Sequence, residues 1–154
     1  MDLSDLVSLD GILPSLKVQS KKQVIQELAA RAAGLTGIPE REIFDTLYER
    51  EQLGSTGVGH GIAIPHGKLA GLKKIMGIFA RLERPVEFDS IDDQPVDIVV
   101  ALLGPEGSGA EHLKALAIVA RLLREKPIAT KLRATQDPEA IYSILTQTMA
   151  NTAA

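Results

Sequence analysis

The chain contains no cysteine. It can form neither a disulfide framework nor a thiolate metal site, which suits a reducing cytosol. Aromatic residues make up only 3%, and the formal net charge is −3. A nucleic-acid binder needs excess base for phosphates and a stacking platform for bases, and the composition supplies neither. No apolar run approaches membrane-spanning length: Ile98 to Leu103 is closed by Asp97 and Gly104. The opening Met-Asp-Leu-Ser-Asp lacks the basic-then-apolar pattern of a signal peptide. These absences predict a cytoplasmic protein with no nucleic-acid partner and no membrane insertion.

At 154 residues, 45% hydrophobic and 24% charged, the chain is long enough for a real core. It is expected to form one domain over 1–154, with 149–154 frayed and neither repeat nor linker. Its most informative stretch is Arg50-Glu-Gln-Leu-Gly-Ser-Thr-Gly-Val-Gly-His-Gly-Ile-Ala-Ile-Pro-His-Gly-Lys68. Gly54, Gly57, Gly59 and Gly61 fall so close together that neither a helix nor a good strand is expected there. They permit positive φ and the close approach of a backbone or an anion. Gly61–Ile64 reads as a short buried strand. Pro65 cannot donate to a ladder, so pairing is expected to end there. His66 then stands just past a strand end, between rigid Pro65 and Gly67, presented for chemistry rather than merely filling a turn.

The rest of the chain alternates helices and strands. A short helical turn and an edge strand are expected over 3–18. Ser20-Lys-Lys-Gln23 is a capping box opening a helix to about Ala33, stopped by Gly34. Pro39 opens a second helix, with Ile43, Phe44, Leu47 and Tyr48 on one face, ending at Gly54. Ile75–Glu83 and Val86–Phe88 read as strands broken at Pro85, and Val96–Leu103 as a central strand apolar on both faces. Ser108-Gly-Ala-Glu111 reads as another capping box, opening a largely buried helix to about Glu125. A short helix follows from Pro127 to Arg133, and Asp137-Pro138 caps the last helix, with Ile141, Ile144 and Leu145 inward. This order predicts an α/β class: a central mixed sheet with helices on both faces.

Leu53-Gly-Ser-Thr-Gly-Val-Gly followed by Gly-Ile-Ala-Ile-Pro-His-Gly-Lys68 resembles the active-site signature of mannitol/fructose-type IIA proteins of the bacterial phosphotransferase system. It is most similar to the nitrogen-regulatory branch, IIA-Ntr. The resemblance extends to Phe88-Asp89, to Asp97 after Gln94-Pro95-Val96, and to His112-Leu113 at the start of a helix. It implies a five-stranded sheet and a phosphoryl group accepted on His66 from a phosphocarrier protein of the HPr/NPr type. It also implies regulated targets, which in relatives include potassium transport systems and sensor kinases. No cofactor is implied.

A histidine that accepts a phosphoryl group must be neutral to attack, and an unperturbed pKa of about 6.5 allows that at pH 7. The transfer needs positioning and charge stabilisation. Backbone N–H groups of Gly57, Gly59, His60 and Gly61 are candidates for a phosphate loop. Arg50 in the last turn of its helix either interacts with the negative helix end or reaches across the loop toward phosphate, as the resemblance implies. His112 is either a polar residue on an exposed first turn or a second imidazole steadying the phosphoryl group. His60 replaces an asparagine found in many relatives; it either orients His66 or sits in the loop as a donor in place of the amide, the reading favoured because it lies among glycines with nothing to fix it.

Three rival readings remain. His60, His66, Glu111 and His112 could supply metal ligands, although their spacing matches no compact motif. A nucleotide-binding loop over Gly61–Lys68 fails on glycine spacing and on Leu69 where a hydroxyl belongs. A IIA component relaying phosphate to a IIB subunit of a sugar transporter shares the same signature; the chain holds no IIB or membrane segment.

Overall fold

The computed structural model describes residues 3–153, and the side chains of residues 4–147. After α1 (Leu3–Leu6) and a 3-10 turn (Leu9–Gly11), β1 (Ile12–Leu16) leads into α2 (Lys21–Thr36) and α3 (Glu40–Leu53). Three short strands follow: β2 (Gly57–Gly59), β3 (Ile62–Ala63) and β4 (His66–Leu69). The long strands β5 (Met76–Val86) and β6 (Val96–Pro105) precede α4 (Gly109–Arg124), α5 (Lys126–Arg133) and α6 (Pro138–Ala153).

Among the described residues the sheet is mixed and six-stranded, in the order β1-β5-β6-β3-β2, with β4 also on β6. Its five lanes match the expected five strands, because β3 and β4 share one lane. Ile62 pairs Ile98 and His66 pairs Leu102, both parallel and with the same offset. The expected end of pairing at Pro65 is therefore a two-residue interruption. Leu102 N donates to Pro65 O at 2.9 Å, and His66 opens β4 instead of standing past a strand end. Period-2 alternation distributes β6 between two cores. Ile98, Val100 and Leu102 join residues of α4–α6, while Val99, Ala101 and Leu103 join α2 and α3.

Several local expectations are corrected. Ser20 does cap α2, accepting from Gln23 N at 3.2 Å, but the helix passes Gly34 and ends at Gly37, whose φ of 79° is the left-handed stop. Pro85 does not break β5; pairing with β6 shifts register between Arg81 and Val86 instead. The second capping box does not form: the Ser108 hydroxyl donates to Pro105 O at 2.6 Å, away from the helix. The side of α4 carrying Leu113 and Ala117 is exposed, with only Ala115, Val119, Leu122 and Leu123 joining His112 in burial. At the C-terminus α6 extends to Ala153, and Ala154 lies outside the described residues.

The glycine-rich stretch is a hairpin, not an open loop. β2 pairs antiparallel with β3, and His60-Gly61 form the turn with φ of 58° and 79°. Positive φ at both central residues is the primed-turn geometry that matches strand twist. Asparagine tolerates that conformation better than most residues, so a turn position accounts for asparagine in relatives. His60 is also pinned: its N–H donates to Asp92 Oδ2 at 3.0 Å, and Arg133 Nη2 donates to its carbonyl at 2.6 Å. Arg133 in turn bonds Asp97 at 3.0 Å. The expectation that nothing fixes His60 is thus overturned for its backbone.

Candidate active site

Sequence parity sets the direction of His66. Ile62 and Ile64 lie in the core beneath α4, so an even-numbered residue continuing the lane faces α4 as well. There His66 meets His112, with ring centroids 5.7 Å apart and planes tilted by 58°. Odd-numbered Gly67 faces α3, where a Cβ would come within 2.6 Å of Thr46 Cγ2. Its lack of a side chain lets α3 close on β4 and carries Arg50 to the site. Gly104 on β6 has the matching role for α4, since a Cβ there would lie 2.7 Å from His112 Nδ1.

The result is a cleft of about 700 Å³ between α3 and α4 at the edge of β4. His66, His112, Arg50 and Lys68 line it, with Leu53, Leu113 and Leu116 as its apolar wall. The structure therefore brings His66, His112 and Arg50 together. It does not bring Gly57, Gly59, His60 or Gly61 to them. Those residues line no part of this cleft and pack against Ser90, Asp92, Arg133 and Asp97 instead. Gly61 O accepts from the N–H groups of Asp97 and Ile98, near the start of β6, whereas His66 lies beside Leu102. Five residues of strand separate the two positions, about 16 Å. The phosphate-loop assignment and an orienting role for His60 toward His66 are corrected accordingly. The four-ligand metal reading is not assembled either: among the described residues no three His, Cys, Asp or Glu side chains gather as a metal site requires.

His66 is half-buried, and its Nδ1 lies 2.9 Å from Ile64 O. A carbonyl only accepts, so Nδ1 carries the hydrogen and the lone pair resides on Nε2. Burial pushes the His66 pKa below its usual value; the bond to Ile64 opposes this, nearby Arg50 adds to it, and Glu51 opposes it. His112 is 4% exposed and neither ring nitrogen has a protein hydrogen-bond partner. Its pKa is also lowered, first by burial and then by His66 and Lys68. Two imidazoles held toward their neutral forms, in a cleft also lined by Arg50, Lys68 and Glu49, suit a nucleophile awaiting an anion.

Arg50 makes the helix-end interaction: its Nη1 donates to Gly54 O at 2.8 Å, at the α3 C-terminus, while its side chain also lines the cleft beside His66. The exposed-turn reading of His112 is overturned by its burial.

Sequence reasoning missed Lys68, Glu51 and the apolar wall. Lys68 was quoted in the signature but given no role, although parity with His66 placed it on the same face. Glu51, a charged residue in the last turn of its helix, is 4% exposed and accepts from Thr56 N at 3.0 Å and Thr56 Oγ1 at 2.6 Å. Leu113 has core-like spacing in a helix expected to be largely buried, yet it is 69% exposed, and Leu53 is 86% exposed.

The cleft at this strand edge thus gathers two imidazoles with Arg50, Lys68 and Glu49 around them, an arrangement suited to holding an anion beside a histidine nucleophile. Residues 5–148 match the family described as "Phosphoenolpyruvate-dependent sugar phosphotransferase system, EIIA 2", and the chain belongs to that family. It is 63% identical over 145 residues to the nitrogen regulatory protein of Bradyrhizobium diazoefficiens, covering 94% of this chain and 95% of that one. The crystal structure of nitrogen regulatory protein IIA-Ntr from Neisseria meningitidis superposes with a TM-score of 0.88 at 36% identity, covering 93% of this chain and 98% of that one. A fructose-specific EIIA component from Haloferax volcanii is more distant, 30% identical over 147 residues, covering 95% and 96%.

Proposed function

We propose that this chain is a phosphoryl-accepting regulatory protein of a nitrogen phosphotransferase system, phosphorylated on His66 by a phosphocarrier of the HPr/NPr type. The observation that carries this is the His66 ring, its Nδ1 hydrogen held by Ile64 O and its Nε2 lone pair left for bonding beside Arg50 and His112. In the transfer, the bond from phosphorus to the donor breaks as the Nε2–P bond forms, and the donor atom keeps the electron pair. Nδ1 retains its hydrogen, so no proton need move. The resulting phosphohistidine is the intermediate of a phosphotransferase component acting in the cytoplasm.

The phosphate adds close to two negative charges at one point of a partly apolar surface. His66 sits on a strand paired to central β6, so the change acts through local charge more than through refolding. Targets of the potassium-transport or sensor-kinase kind would then distinguish the two forms. Titration calorimetry with a captured target tests this. A change in affinity of at least about tenfold between forms, some 1.4 kcal/mol, is expected. His66→Glu should move the affinity the same way, less far. Equal affinities, with phosphate passing efficiently to a IIB cysteine, would favour the sugar-transport relay, the activity class of the fructose-specific relative.

A further inference from the structure

The acceptor ring is held through a chain of bonds that starts at a buried carboxylate. Glu51, in the last turn of α3, is 4% exposed, and Lys21 Nζ of α2 lies 3.4 Å from its Oε1. The carboxylate accepts from Thr56 N at 3.0 and 3.2 Å and from Thr56 Oγ1 at 2.6 Å. Thr56, itself buried, then accepts from Ile64 N at 3.0 Å through its carbonyl. Ile64 in turn accepts from His66 Nδ1 at 2.9 Å.

The geometry of the lane explains why this matters. Pro65 turns its carbonyl to β6, where Leu102 N takes it. Adjacent residues in an extended segment turn their polar groups to opposite sides. The N–H and C=O of Ile64 therefore point to the outer edge, where paired β2 has already ended at Gly57. Thr56 is the residue that holds Ile64 there, and Glu51 holds Thr56. A charged acceptor makes these bonds stronger than a neutral one would. Four ionisable groups share the cleft with this ring: Glu49 and Arg50 on α3, His112 on α4 and Lys68 on β4.

We propose that Glu51 is a positioning residue for His66: through Thr56 it fixes the Ile64 carbonyl, which selects the Nδ1–H tautomer and aims Nε2 into the cleft. The role rests on His66 being the phosphoryl acceptor, but the ring geometry can be measured without any transfer.

The experiment uses the full chain labelled with nitrogen-15, reading the His66 ring-nitrogen shifts at a pH where the ring is neutral, alongside the phosphorylation rate. Wild type is expected to be almost wholly Nδ1–H. Glu51→Ala should give a mixture containing Nε2–H and slow phosphorylation by about tenfold or more. Glu51→Gln keeps a carbonyl oxygen for Thr56 N–H and should recover the tautomer and most of the rate. Thr56→Val, which loses only the hydroxyl bond, should show the same tautomer shift in smaller measure, and it carries the test if Glu51→Ala does not fold. Pure Nδ1–H in Glu51→Ala, or in Thr56→Val where only that variant folds, overturns the proposal. Wild type without phosphate on His66 would instead sink the acceptor reading, while the nitrogen shifts still decide the role of Glu51.

Discussion

The imidazoles of His66 and His112 face each other at 5.7 Å, and each is buried enough that its protonation is disfavoured. A charge on one raises the cost of a charge on the other. The pair should therefore stay neutral to a lower pH than free histidine.

The first prediction follows from that sign. Attack on phosphorus requires neutral His66, and its folded pKa lies below 6.5. The acid limb of the phosphorylation rate should therefore have its midpoint below pH 6.5, more acid than for a free imidazole. Stability follows the same sense. The unfolded chain binds the proton more readily, so this contribution is complete above about pH 6.5 and is lost as pH falls through the folded value. Initial rates against pH, with the donor system kept in excess, check the kinetic arm. A decline already complete by pH 7 would contradict it.

Arg50 and His112 should separate function from folding, though by different substitutions. Arg50→Ala loses one bond to Gly54 O at the end of α3, about 1 kcal/mol. The phosphorylated form should lose a charge-assisted contact of about 1.5–3 kcal/mol. His112 fills space that Gly104 leaves open, so alanine there would leave a cavity, and His112→Gln is the cleaner probe. Both variants should melt near wild type yet phosphorylate more slowly or lose the phosphoryl group faster. Melting curves and phosphohistidine half-lives decide; a normal half-life with a large fall in melting temperature would make either residue structural.

Leu53 and Leu113 are the exposed part of the apolar wall around His66. Largely exposed in the free chain, they should tolerate Leu53→Glu and Leu113→Glu within about 0.5 kcal/mol of stability. A donor protein must approach His66 closely, and a charge at its docking surface costs desolvation. The apparent KM for the phosphocarrier should rise about tenfold with kcat nearly constant. Unchanged KM in both variants would place donor docking elsewhere.

Much of this architecture could be read from residues alone, for reasons that also explain the failures. The central strand, the two helical layers and His66 follow from apolar alternation and from the Pro65-His66-Gly67 run, all short-range signals. Misread positions depended on what packs from far away. Gly34 stands in a helix that continues because nothing there requires a left-handed stop. Pro85 falls where β5 loses register with β6, so its missing N–H breaks no regular ladder. Leu113 has core-like spacing but no element above it. The glycines at 57–61 signalled close approach correctly, yet the neighbours are Ser90, Asp92 and Arg133. Thr46 over Gly67 and His112 over Gly104 are likewise long-range fits that spacing does not disclose.

The most direct test of the central claim is where the phosphorus is bonded. The protein is phosphorylated with phosphoenolpyruvate, the donor enzyme and its phosphocarrier, and the acid-labile product is examined by nitrogen-15 and phosphorus-31 magnetic resonance. With Nδ1–H held by Ile64 O, a single phosphohistidine is expected, on His66 through Nε2, and none in His66→Ala. Wild-type labelling in His66→Ala, or phosphate on His60 or on Nδ1 of His66, would contradict the account.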